Sequence, residues 1–199
     1  MYNVYPILLA VIFFNLSLSG QDTIQSAEEF QKELEEDYRN PEKSPLKQRA
    51  KDFKGHAFFA IDSTYRVRAN FVRTLNALPF QMQTTTSRTP TYEKYGEATF
   101  EIHGEVMVLN IYQSHNLRET AEYKDYLFLP FNDATNGEET YAGGRFLDLE
   151  IPEGDTILID FNKAYNPYCA YAKEYSCPIP PKENTLAVKI LAGVKKPKK

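Results

Sequence analysis

Three aspartates are the carboxylates that could act as a base in a hydrolytic reaction: Asp133 in a polar loop, and Asp148 and Asp160 in strand-like runs. That chemistry requires carboxylates converging in one cleft, at least one with a raised pKa. A binding site could be made from the same part of the chain. Ile157, Ile159 and Phe161 alternate along one apolar face, so Asp160 and Asn162 share the other. A carboxylate and an amide two residues apart can hold a ligand hydroxyl, a cation or a facing arginine. Arg145 shares parity with Leu147 and Leu149, while Phe146 sits with Asp148 and Glu150. An arginine on an apolar face must find a partner, meet a bound anion, or reach out to water. An Arg145–Asp160 pair that only braces the following loop is the structural alternative.

That loop, Asp160 to Asn184, is the most unusual stretch of the chain. It is long, aromatic and proline-stiffened, whereas ordinary connections are short and polar. Pro167, Pro178, Pro180 and Pro181 restrict its backbone before folding and reduce the entropy lost on ordering. Tyr165 and Tyr171, with Tyr168 and Tyr175, offer walls for a sugar or planar ligand, or plain packing over an open barrel end. Asn162, Asn166 and Asn184 supply amides that can meet a ligand or satisfy buried backbone. The ligand-binding candidates are therefore Arg145, Asp160, Asn162, Tyr165, Asn166, Tyr171 and Asn184.

Composition excludes several function classes. Net charge is −4, without the basic footprint of a nucleic-acid binder. Two cysteines and three scattered histidines, His56, His103 and His115, make no metal-ligand spacing, and no metal or cofactor is expected. Neither a Gly-x-Ser-x-Gly elbow nor a glycine-rich phosphate loop is present.

The first 20 residues read as an export signal, with an apolar run from Ile7 to Phe14 and small residues Ser17, Ser19 and Gly20 before Gln21. The run falls short of the ~20 residues a spanning helix needs, so no stable membrane insertion is expected after cleavage; the n-region lacks Lys and Arg, and a short uncleaved anchor is the alternative. The mature protein is expected outside the cytoplasm, periplasmic or secreted. In an oxidising compartment Cys169 and Cys177 are expected to form a disulfide, closing a small ring at roughly 2.5 kcal/mol. A reactive thiol is the alternative, needing a nearby base and a depressed pKa.

The elements that must position these residues follow from periodicity. Residues 21–50 carry a helix, capped by Ser26 and Glu29, with Phe30, Leu34 and Tyr38 on one face. Residues 51–194 alternate with period two in runs at 57–61, 65–71, 80–84, 98–102, 107–111, 127–131, 145–149, 156–162 and 186–190, with a hairpin at His103-Gly104. A solvated basic tail, 195–199, closes the chain. The expected fold is a mainly antiparallel β-barrel or strongly curved sheet with one N-terminal amphipathic helix.

Longer patterns carry a resemblance. Gly144-Arg145-Phe146-Leu147-Asp148-Leu149, Asp160-Phe161-Asn162-x-Ala164-Tyr165-Asn166-Pro167-x-Cys169 and Cys177-Pro178-x-Pro180-Pro181-x-x-Asn184 resemble the DUF1684 family, as do Ser44-Pro45-Leu46 and Phe128-Leu129-Pro130-Phe131-x-Asp133. The resemblance spans about residues 40 to 193; the family's closing Ala-Gly-Glu reads Ala192-Gly193-Val194 here. That family is uncharacterised, so the resemblance implies no activity. Its members do not all look exported, which keeps thiol chemistry open for the cysteine pair. Three functions follow as expectations. The first is binding of a small polar or glycan-type ligand near the Asp160–Asn184 loop. The second is hydrolase chemistry with a carboxylate base in the same cleft, and the third a structural or interaction role with Arg145–Asp160 as a brace.

Overall fold

The computed structural model describes residues 25–198, so the expected export signal at 1–20 lies outside the described residues. Helix α1 spans Ala27–Arg39. Ser26 Oγ accepts the Glu29 N–H at 3.1 Å, and the Glu29 carboxylate accepts the Ser26 N–H at 2.9 Å, the reciprocal cap that the Ser-x-x-Glu spacing predicts. Seven strands follow: β1 (Arg66–Arg73), β2 (Phe80–Gln81), β3 (Thr91–Ile102), β4 (Glu105–Ser114), β5 (Tyr126–Phe131), β6 (Arg145–Glu150) and β7 (Thr156–Asp160). They form one antiparallel sheet in the order β6-β5-β4-β3-β1-β7, with β2 beside β3, curled into a half-barrel.

The longest pairing, β3 with β4, turns at His103 and Gly104, both with positive φ, as a two-residue hairpin requires. A register shift between Lys94 and Gly96 bends β3. A Cβ at Gly96 would stand 2.4 Å from the Phe71 ring, so only glycine lets β1 and β3 close here.

Two expected strands are corrected. Residues 57–61 make only one bridge, Phe58 to Val194, flanked by Phe59 N–H to Gly193 O and Lys195 N–H to Ala57 O. Gly193, at φ +75°, breaks the extended course of the partner segment, so no ladder can run on. Residues 186–190 bury Leu186 and Ile190 as their alternation predicts, but their backbone-to-backbone hydrogen bonds go to the loop at Asn132 and Ala134 and form no ladder. The 156–162 run also stops early. Asp160 Oδ1 accepts the Asn162 N–H at 3.1 Å and turns Phe161–Lys163 into a 3-10 turn.

The sheet is apolar on both faces. Leu109, Ile111, Leu127, Leu129, Leu147, Ile157 and Ile159 lie in the main core, inside the curl. A smaller aromatic cluster of Tyr92, Tyr112, Phe128 and Phe146, with Tyr126 and Tyr165 against it, occupies the other face. Parity alone sorts neighbours: in β5, Leu127 and Leu129 point one way, Tyr126 and Phe128 the other. A sheet with one solvated face would carry polar residues in place of the second set. These aromatics therefore require a cover, and α1 and the Asp160–Asn184 loop provide it.

Candidate functional site

The cover is incomplete and leaves a cavity of about 610 Å³. Its floor is the aromatic face of β3, β5 and β6, through Tyr92, Tyr126, Phe128, Phe146 and Asp148. Phe30 and Leu34 of α1 form one wall, and Tyr165, Tyr168, Tyr175 and Cys177 of the long loop form another. Arg88 reaches in from the connection between β2 and β3. The volume suits a small organic ligand, and a largely apolar and aromatic lining with a few polar groups is the usual composition of such a site.

Asp148 is the cavity's carboxylate. Its β6 parity places it beside Phe146, and one carboxylate oxygen, Oδ1, accepts both the Tyr126 and the Tyr165 hydroxyl at 2.7 Å. One phenol comes from the neighbouring strand, the other from the long loop, so the carboxylate ties the cover to the floor. The side chain stays reachable from the cavity while protein crowds its remaining sides. That crowding pushes the Asp148 carboxyl above its usual range; the two phenol hydrogen bonds pull only part of the way back. Burial and then the Asp148 charge hold both phenols well above the ordinary tyrosine range, so they remain donors. Such a carboxyl can accept a cation, bond a ligand hydroxyl, or give and take a proton more readily than an ordinary aspartate.

The other expected carboxylates lie elsewhere. Asp133 is fully buried in an ion pair with Arg145, and its Oδ1 accepts the Thr135 N–H at 2.6 Å. Arg145, at 1% exposure, also donates to the backbone oxygens of Ile190, at 2.9 Å, and Ala192. It therefore ties the 132–144 loop to the C-terminal segment, with Asp133 as partner; the expected Arg145–Asp160 contact is corrected. Asp160 instead holds Asn162 and stands 3.6 Å from Arg66. The three aspartates do not converge in one cleft.

The asparagines serve backbone. Asn162 exchanges hydrogen bonds with both the N–H and the carbonyl of Asp62, at 3.0 and 2.9 Å. Asn166 donates to Lys195 O at 2.9 Å and to the Tyr171 hydroxyl at 3.0 Å. Asn184 accepts the Asn110 N–H at 2.9 Å and donates to the carbonyls of Asn110 and Pro130, both at 2.8 Å. Tyr171 packs edge-on to Tyr38 and His56, away from the cavity. Of the expected ligand-binding residues, only Tyr165 lines the cavity. Reasoning from sequence passed over Phe30, Arg88, Tyr92, Tyr126 and Phe146. The signal that could have found them was the odd parity of Phe146 and Asp148 opposite Leu147, matched by Tyr126 and Phe128 in the preceding strand.

Cys169 and Cys177 are free thiols lying side by side, so the expected disulfide is not formed in this structure. The Cys169 N–H donates to Cys177 Sγ at 3.1 Å, and the Tyr141 hydroxyl lies 3.9 Å from Cys169 Sγ. The hydrogen bond from the Cys177 thiol, aided by Tyr141, draws the Cys169 thiol down to about 6 and pushes its partner up. Among the described residues, no group of three or more His, Cys, Asp or Glu could hold a metal ion.

Comparison with known proteins places this architecture. A solution NMR structure of an uncharacterised protein from locus rrnAC0354 of Haloarcula marismortui is similar at 32% identity and a TM-score of 0.64, over 83% of this chain and 89% of that one. No curated protein matches the chain. The profile of DUF1684, a protein family of unknown function, matches residues 51–195, and the chain belongs to that family.

Proposed function

We propose that the protein binds a small polar organic ligand in the cavity between α1, the aromatic face of the sheet and the Asp160–Asn184 loop. One observation carries this reading: Asp148 stands on an otherwise aromatic floor, oriented by two phenols and open to the cavity. Asp133, by contrast, is closed off from solvent and paired with the Arg145 cation. The expected export signal would put this site outside the cytoplasm, where it meets ligands directly. A thermal-shift screen of sugars, organic acids, nucleotides and amino acids tests the reading. A ligand that stabilises wild type and the Asp160→Asn variant, but not Asp148→Ala, supports it; stabilisation that survives Asp148→Ala refutes it.

The raised pKa of Asp148 favours one second reading, in which the carboxyl acts as a general acid or base on the bound molecule. A hydrolase of this kind would work with one carboxyl between two phenols rather than with a carboxylate pair. Turnover that falls with Asp148→Asn, in a variant that still binds, distinguishes it from binding alone.

A further inference from the structure

The charges of the cavity say more than its shape. Among its lining residues only two side chains carry charge, Asp148 and Arg88, and their signs are opposite. They do not pair with each other. Among the described residues, Asp148 is held by neutral phenols alone, both on the same oxygen, and no cation contributes to its environment. Arg88 is held by neutral acceptors of the long loop: its Nε donates to Ser176 Oγ at 3.2 Å and its Nη2 to the Ser176 carbonyl at 2.9 Å. Tyr92 lines the same cavity, and its phenol feels the charge of both. Building on the ligand-binding reading, we propose that the cavity takes a small zwitterion, with its ammonium group against Asp148 and its anionic group against Arg88.

The alternatives each leave a charge unanswered. A simple cation would satisfy Asp148 and meet repulsion from Arg88. An organic acid would satisfy Arg88 and bring a like charge towards Asp148. A neutral sugar would leave both side chains without a counter-charge. A zwitterion answers both at once, and the surrounding rings favour its ammonium end through their electron-rich faces. The volume leaves room for an apolar or aromatic substituent against Phe30, Phe128 and Phe146. The guanidinium at the mouth suits a planar carboxylate, which it can grip with two donors.

The test uses the full-length protein and four probes sharing one skeleton: L-phenylalanine, phenethylamine, 3-phenylpropanoate and 2-phenylethanol. A panel of the protein amino acids and glycine betaine is measured beside them by calorimetry. At least one zwitterion should bind at least about tenfold more tightly than its cationic, anionic and neutral counterparts. Asp148→Asn should erase its advantage over the anion, and Arg88→Gln its advantage over the cation. Arg88 is exposed, so its variant will fold. If sugars or neutral probes bind at the cavity and no zwitterion is preferred, the charge assignment is overturned while the ligand-binding reading stands. If no compound of any class binds, both are overturned.

Discussion

Tyr165 donates its hydroxyl to Asp148 Oδ1 at 2.7 Å, and this bond joins the long loop to the sheet at the cavity floor. Tyr126 reaches the same oxygen from the neighbouring strand at the same distance. The carboxylate is thereby fixed in orientation without being neutralised, which is what a recognising group needs and a bracing group does not.

This arrangement has a stability signature. The folded protein holds the Asp148 proton more tightly than the unfolded chain does, because burial raises the carboxyl's pKa. Asp148 therefore withdraws stability as pH climbs from the unfolded value of about 3.9 through the raised folded value. Asp148→Asn keeps an acceptor for both phenols and removes that dependence. Without ligand, the variant should melt above wild type at pH 7, and the gap should close below about pH 4. A variant that melts below wild type at pH 7 would contradict the assigned environment.

Asn184 makes a sharper prediction for the sheet itself. β4 and β5 pair directly only at Tyr112 and Phe128. Two residues on, Asn110 faces Pro130, which has no N–H to give, and the Asn184 side chain fills the gap as a surrogate strand. Asn184→Ala would strand these buried backbone groups, each worth about 1–3 kcal/mol. Chemical denaturation should show a loss of at least ~2 kcal/mol, more than Asn166→Ala at the loop edge.

Arg145 and Asp133 form a buried pair, and removing one partner leaves the other charged and unanswered. Arg145→Met should cost about 3–5 kcal/mol, while Arg145→Met with Asp133→Leu should recover part of it. Ligand binding in any variant that stays folded should be unchanged, since neither residue lines the cavity.

The thiol pair predicts a reactivity profile. With the Cys169 thiol drawn down to about 6, its alkylation by iodoacetamide should reach half its maximal rate near pH 6 and Cys177 should lag far behind. Peptide mass spectrometry separates the two. Cys177→Ala should move the Cys169 midpoint up towards the ordinary thiol range of about 8.5, because the hydrogen bond that lowers it is gone.

Much of this was legible in the chain before its structure. The capping box, the hairpin at His103-Gly104, the half-barrel class and the family followed from period, turn chemistry and long motifs. Arg145 on an apolar face was also legible, since β parity is local. Its partner was not, because Asp133 and Asp160 both lie near in sequence and only the fold decides which turns inward. The cavity stayed hidden for a related reason. Its floor residues belong to a face that ordinary alternation assigns to solvent, and its walls come from α1 and a loop over 100 residues later. For the asparagines the sequence left two roles open, because an amide suited to a ligand is equally suited to a stranded carbonyl, and here they bond backbone.

The most direct measurement is an NMR titration of isotope-labelled protein with a mixture of amino acids, betaine, sugars and organic acids. Shift changes should cluster on Phe30, Arg88, Tyr126, Phe146, Asp148 and Tyr165, and the bound component should be zwitterionic. Changes centred on Arg145, Asp160 and Asn162, or none anywhere, would contradict this.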